Sequence, residues 1–136
     1  MTRIVAGSAK GRTLAVPKSG TRPTSERVRE ALFSRLDHMN VLNGATVLDL
    51  YAGTGALGLE ALSRGSAHAT LVEKSSAAAR VASANVRSTG LPARVVTADA
   101  RSFLAARTGE ELRGDIDLVF IDPPYDIAED DMTTVL

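Results

Sequence analysis

The stretch Asp49-Leu50-Tyr51-Ala52-Gly53-Thr54-Gly55-Ala56-Leu57-Gly58 decides how the rest of this 136-residue chain is read. It continues an apolar run, so that Ala45–Leu50 reads as a buried strand. The glycines then mark a turn, and Ala56 to about Arg64 reads as a helix stopped by Gly65. Strand, glycine turn and helix in that order open a βαβ unit. The G-x-G-x-x-G spacing of Gly53, Gly55 and Gly58 is a weak signal alone. It gains weight from this context and from Glu73, 20 residues past Gly53.

Towards the C-terminus the alternation repeats. Ala69–Val72 reads as a second strand ending at Glu73. Ser75 can cap a helix to about Ser88, stopped by Gly90 and Pro92. Ala93–Thr97 is a third strand with Asp99 just beyond it, Ala100–Leu112 a further helix, and Ile116–Ile121 a fourth strand ending at Asp122. Strands alternating with helices of this length predict an α/β fold built on a parallel sheet. The acids mark its functional edge. Asp49, Glu73, Asp99 and Asp122 fall at or just past strand ends, and open α/β sheets bind ligands at the carboxyl ends of their strands. A single acid there is usually a turn former; four in register point to a ligand.

Towards the N-terminus, Ile4–Ala6 and Thr13–Val16 flank Gly7-Ser8-Ala9-Lys10-Gly11, a pattern that predicts a hairpin presenting Lys10 and Arg12 at its tip. Pro17 to Pro23 reads as loop. Thr24 or Ser25 can cap a helix to about Met39, with Val28, Ala31, Leu32, Arg35 and Leu36 at helical spacing. Arg22, Arg27 and Arg29 crowd its N-terminal end, where the helix dipole disfavours cations. That conflict is expected of arginines that serve a ligand or RNA.

The net charge is zero, yet its distribution is uneven. Residues 1–40 carry eight basic and three acidic side chains; residues 41–136 carry eight basic and 13 acidic. A net +5 arm on a −5 body hints at polyanion binding through the arm. The chain has no cysteine, which excludes a disulfide scaffold, a thiolate zinc site and a cysteine nucleophile. Its longest uncharged stretch, His38–Leu48, has 11 residues, against about 20 for a membrane span. Met1-Thr2-Arg3-Ile4 lacks the apolar core of a secretory signal. A cytoplasmic protein with no membrane partner is expected. His38 and His68 have no second ligand at metal spacing, so no metal site is expected.

The glycine turn suits a ligand containing adenosine, because glycines let the backbone come close and a carboxylate on the second strand accepts from ribose hydroxyls. Such charge-assisted bonds are worth roughly 1.5–3 kcal/mol each. A dinucleotide would set its pyrophosphate on the helix N-terminus, where Asp49 would repel it. S-adenosylmethionine, with its ammonium and sulfonium, is the better match, and Asp99 would accept from its adenine amine. A nicotinamide dinucleotide stays open as the alternative.

Asp122-Pro123-Pro124-Tyr125 ends the fourth strand beside that turn. Prolines alone would serve as a strand stop; the flanking acid and aromatic suggest chemistry. An exocyclic amine on a nucleobase is a poor nucleophile because its lone pair is delocalised into the ring. A carboxylate and a backbone carbonyl that each accept one N–H draw the nitrogen towards tetrahedral geometry and stabilise its growing positive charge. The prolines hold the carbonyl in a rigid turn, and the aromatic ring offers a face on which an extruded base stacks.

Asp-Leu-Tyr-Ala-Gly-Thr-Gly together with Asp-Pro-Pro-Tyr resembles the class I methyltransferases that modify exocyclic amines on DNA or rRNA. The N-terminal segment narrows the resemblance. Arg3-Ile4-x-x-Gly7-x-x-Lys10-Gly11-Arg12-x-Leu14, then Arg22-Pro23-Thr24, then Arg29-Glu30-Ala31-Leu32-Phe33, is similar to the RsmD family of bacterial 16S rRNA guanine-N2 methyltransferases. The likeness runs from Arg3 to Tyr125. It implies a Rossmann-like class I methyltransferase sheet with helices on both faces and a small N-terminal hairpin and helix. It divides the chain into a basic RNA-contacting and cofactor-closing segment, residues 1–40, and a cofactor-binding core, residues 41–136. It implies S-adenosylmethionine as cofactor and, as target, guanine 966 of 16S rRNA in the small ribosomal subunit. Asp49, Gly53, Thr54 and Gly55 would line the methionine end. Glu73 would hold the ribose, Asp99 and Ala100 the adenine, and Arg22 and Thr24 would close over the amino-acid portion. Asp122, Pro123 and Tyr125 would bind and orient guanine; Arg3, Lys10, Arg12 and Lys18 would meet rRNA phosphates, which position a protein without specifying sequence.

The family fold has seven strands, and only four are counted here before Leu136. The C-terminal strands are therefore expected to be missing from a chain that is a fragment of the whole. A DNA amine methyltransferase remains an alternative, although it would need a target-recognition insert for which the chain has no room.

Overall fold

The structure, a computed structural model, describes residues 2–16, 26–106 and 116–123. Two two-residue strands, β1 (Thr2–Arg3) and β2 (Thr13–Leu14), precede helix α1 (Glu26–His38). Then come β3 (Thr46–Leu50), α2 (Ala56–Ser63), β4 (His68–Glu73), α3 (Ser76–Thr89), β5 (Ala93–Thr97), α4 (Ala100–Ala106) and β6 (Leu118–Ile121). These follow the expected elements closely where a helix stop or start carries a local signal. Ser75 accepts from the Ala78 amide at the head of α3, and Gly90 closes that helix at φ +68°. Arg107 to Leu112, expected to extend α4, lie outside the described residues.

Strands β3 to β6 form one parallel sheet in the order β5-β4-β3-β6. The sequence passes from β3 outward through β4 to β5, then crosses back to put β6 on the other side of β3. The order therefore reverses between β3 and β6, which is where open α/β sheets leave a binding crevice. Alternate β3 residues serve opposite faces. Val47 joins a core with Ile4, Leu14, Phe33, Leu59 and Leu71, whereas Leu48 and Leu50 pack with Val72, Ala100 and Phe103. Helices thus cover both faces: α1 and α2 lie on the first, α4 on the second.

The N-terminal hairpin forms, but β1 lies earlier than the sequence pattern predicts. Thr2 pairs with Leu14 and Arg3 with Thr13, and the Ile4 amide still donates to the Arg12 carbonyl at 3.0 Å. Val5 and Ala6 turn away because a stronger acceptor claims them: their amides donate to Glu60 Oε1 and Oε2 of α2 at 2.9 and 3.1 Å. The face of α1 also differs from expectation. Arg29 and Phe33 are its buried residues, while Val28 is 56% exposed. Phe33 packs against Phe120 of β6 with ring centroids 5.5 Å apart, and the Arg64 guanidinium lies 5.3 Å from the Phe33 ring centre. Arg29, expected to serve a ligand or RNA, is instead fully buried. Its Nε pairs with Glu60 Oε1 at 3.3 Å and its Nη2 donates to the Arg3 carbonyl. A buried carboxylate demands such a partner, and that demand outweighs the small dipole conflict.

Candidate functional site

The site is built where β3 ends. Tyr51, a non-glycine residue, stands in the left-handed region at φ +59°, followed by Gly53 at +57° and Gly55 at +87°. The Ala52 amide extends the β3–β4 pairing by donating to the Val72 carbonyl at 2.9 Å, and the Gly55 amide closes a turn on the Ala52 carbonyl at 2.8 Å. No side chain among the described residues caps α2. A Cβ at Gly58 would overlap Leu71 Cδ2 and approach Asp49 Oδ2 to 3.3 Å, so the third glycine lets α2 lie directly on the sheet and on Asp49.

Asp49 is buried beneath that helix. Its Oδ2 accepts the Gly58 amide at 3.1 Å, and its Oδ1 has no partner among the described residues. Burial pushes the carboxyl up to about 7; the Gly58 bond opposes this, and the charges of Asp122 and Glu73 add to it. A buried carboxylate oxygen with nothing to bind, in a repulsive acidic field, favours a cation beside it. An ammonium or sulfonium fits that requirement; a pyrophosphate does not.

Glu73 pins the glycine turn. Its Oε1 accepts the Gly53 amide and its Oε2 the Ser75 amide, both at 2.8 Å. Each oxygen keeps a second lone-pair direction for a further donor. Thr54 is buried, and its carbonyl accepts from Asn85 Nδ2 at 3.0 Å. Asp99 Oδ2 accepts the Ser102 amide at 3.1 Å at the head of α4, next to buried Ala100. The sheet order sets the four acids in a row: Asp99 after β5, Glu73 at the end of β4, Asp49 in β3 and Asp122 after β6. Electrostatic coupling joins Asp49, Glu73 and Asp122, while Asp99 stands further along the edge. Asp122 is exposed and Pro123 half-buried. Tyr125, Arg22, Thr24 and Lys18 lie outside the described residues.

On the arm, Lys10 is exposed, Arg3 Nε lies 3.4 Å from Glu26 Oε1, and Arg12 Nη1 donates to the Ser88 carbonyl of α3 at 3.1 Å. Sequence reasoning missed Glu60 and Asn85, both buried. A signal existed for each. Glu60 interrupts the apolar run Ala56–Leu62, and Asn85 falls on the helical stripe of Ala78 and Ala82. Among the described residues no group of three metal-ligating side chains gathers, and no helix is long and apolar enough to cross a membrane.

The chain is similar to known proteins. The chain is 46% identical over 125 residues to the ribosomal RNA small subunit methyltransferase D of Escherichia coli K12, spanning 90% of this chain and 60% of that protein. It is similar to the solved structure of a hypothetical protein of Thermus thermophilus, with TM-score 0.84 and 42% identity over 93% of this chain and 71% of that one. The Pyrococcus abyssi tRNA (uracil-54, C5)-methyltransferase, solved in complex with S-adenosyl-L-homocysteine, shares the fold: TM-score 0.56 and 23% identity, over 76% of this chain and 24% of that one. The class I methyltransferase fold expected from the motifs is the one observed. The family model described as Conserved hypothetical protein 95 matches residues 2–136, and the chain belongs to that family, the RsmD family.

Proposed function

We propose that this chain carries the S-adenosylmethionine-binding and amine-orienting part of a cytoplasmic enzyme that methylates the exocyclic N2 amine of a guanine, guanine 966 by resemblance, in 16S rRNA of the small ribosomal subunit. The observation that carries this reading is the buried Asp49 Oδ1, without a partner among the described residues, beside the left-handed turn at Tyr51, Gly53 and Gly55, one strand away from Asp122. The rRNA in the name of the Escherichia coli relative supports the substrate class.

Asp49 with Gly53, Thr54 and Gly55 would hold the amino-acid end of the cofactor, Glu73 its ribose, and Asp99 with Ala100 its adenine; Arg22 and Thr24 would close over it. When bound, S-adenosylmethionine supplies an electrophilic methyl group. Asp122 and the Pro123 carbonyl would each accept one N–H of the guanine amine, turning its lone pair out of the ring and stabilising the charge that grows on nitrogen. Tyr125 would stack on the extruded base, a contact worth about 1–3 kcal/mol. Residues 1–40 would hold RNA through Arg3, Lys10, Arg12 and Lys18, and residues 41–136 would form the cofactor core.

The test offers labelled S-adenosylmethionine to the chain with unmethylated small subunits, free 16S rRNA or duplex DNA. Label recovered as N2-methylguanine from rRNA is expected. Label in DNA and none in RNA, or binding of a nicotinamide dinucleotide in place of S-adenosylmethionine, would overturn the reading.

A further inference from the structure

Asn85 of α3 is 2% exposed and uses both ends of its carboxamide. Its Oδ1 accepts the Ala15 amide at 2.8 Å, and its Nδ2 donates to the Ala15 carbonyl at 3.1 Å and to the Thr54 carbonyl at 3.0 Å. It therefore pairs with Ala15 as a neighbouring strand would, and with the same amide plane grips the residue between Gly53 and Gly55. Arg12 adds a tie one turn further along α3 through Ser88, and Val5 and Ala6 are held at the other end of the arm by Glu60 of α2. The arm is thus fastened to the two helices that follow β3 and β4, and Asn85 joins it to the glycine turn itself. The carboxamide is planar and rigid, so a movement of the Thr54 peptide is passed to Ala15 within a single side chain.

We propose that Asn85 is a positioning residue that couples the N-terminal arm to the glycine turn, so that filling the turn orders the arm for RNA. The coupling is reciprocal: RNA on the arm tightens the turn by the same factor. This rests on the reading of the turn as the S-adenosylmethionine site. A merely structural Asn85 would stabilise the fold without linking the responses of the two segments.

Amide hydrogen exchange of the full chain, with and without S-adenosylhomocysteine, separates these cases when residues 2–16 and 51–58 are followed independently. In the wild type both segments slow on ligand addition, the arm by about fivefold or more. In Ala15→Pro, which removes the Ala15 N–H bond to Asn85 Oδ1 and leaves the Nδ2 bonds to the Ala15 and Thr54 carbonyls in place, residues 51–58 still slow and residues 2–16 slow less than in the wild type. In Asn85→Ala, which removes all three bonds, residues 51–58 still slow and residues 2–16 do not, and this variant carries the test if the proline variant fails to fold. An arm that slows equally in wild type and variants, or a wild type in which only residues 51–58 respond, overturns the coupling and leaves the cofactor reading intact. A wild type in which neither segment responds overturns both.

Discussion

Arg29 Nε lies 3.3 Å from Glu60 Oε1 with neither side chain exposed to solvent. The pair is the hub of the N-terminal packing, because Glu60 also accepts from Val5, Ala6 and, at 2.9 Å, from Arg64 Nε. Removing Arg29 leaves buried Glu60 with Arg64 and the two amides but without its buried cation, so the loss belongs at the low end of the cost of breaking a buried pair, about 3 kcal/mol. Arg29→Ala is therefore expected to lower the unfolding free energy by that amount in urea titration. Arg29→Lys keeps the charge without the fork that reaches both Glu60 and the Arg3 carbonyl, and should fall between. A loss below about 1 kcal/mol for Arg29→Ala would show that the pair is not the hub.

Gly7 presses on the backbone of α2 near its last residue. Its φ is +91°, and a Cβ there would overlap the Ser63 carbonyl. Ser63 meanwhile accepts the Ser8 amide at its carbonyl (2.7 Å) and the Ala9 amide at its Oγ (2.9 Å). Gly7→Ala must lift the arm away and lose these bonds as well as strain the backbone, which together should cost at least about 2 kcal/mol. Gly11 is the control: its φ is +85°, but a Cβ there meets nothing within 4 Å, so Gly11→Ala should cost only about 1 kcal/mol. Equal losses in denaturant titrations of the two variants would contradict the packing argument.

What could be read in the sequence follows from how local each signal is. The strand–turn–helix at Ala45–Arg64, the Ser75 cap and the Gly90 stop depend on neighbours within a few residues, and they stand close to where the pattern puts them. The acids at the strand ends were likewise legible, since a parallel sheet fixes which ends face the crevice. The partners of Glu60 were not. Its bonds to Val5 and Ala6 span 55 and 54 residues, and no periodicity within the arm announces them. That distant carboxylate also decides the face of α1. On spacing alone Arg29 reads as a cation for a ligand or RNA, because buried charges are rare, and Val28 reads as core because it lies at apolar spacing. Once Glu60 is known to be buried, an arginine on the facing helix becomes the natural partner.

Asp49 gives the site a pH dependence whose sign is fixed. Its carboxyl is raised from 3.8 to about 7 in the fold, so the native state holds a proton that the unfolded chain has released. Stability from this group is full below pH 3.8 and is lost as the pH rises through about 7. Asp49→Asn should therefore be more stable than wild type at about pH 8, by on the order of 4 kcal/mol, and no more stable at about pH 4. Cofactor binding runs the other way. A cationic ligand needs the ionised carboxylate, so affinity for S-adenosylmethionine should be about tenfold weaker at pH 6 than at pH 8. Titration calorimetry in two buffers of different ionisation enthalpy should register proton release on binding near pH 6. Binding that is flat from pH 6 to 8 in the wild type would mean that no cation reaches Asp49.

Asp122 is proposed to serve the substrate rather than the cofactor, and its charge offers a way to check that division. It raises the Asp49 carboxyl across the gap between β6 and β3. Asp122→Ala removes that repulsion, so Asp49 ionises more easily and the midpoint for cofactor binding moves to lower pH. At about pH 8, where Asp49 is ionised in either protein, affinity for S-adenosylmethionine should change by less than about threefold, because the remaining cofactor contacts are untouched. Methyl transfer should fall by roughly 10²–10³, the usual loss when one group that stabilises developing charge is deleted. Asp122→Asn keeps an acceptor without the charge and should recover part of the rate while keeping the lowered midpoint. A midpoint that stays at the wild-type pH in both variants would place Asp122 away from Asp49 in solution. Loss of cofactor binding at about pH 8 would move Asp122 from the amine to the cofactor.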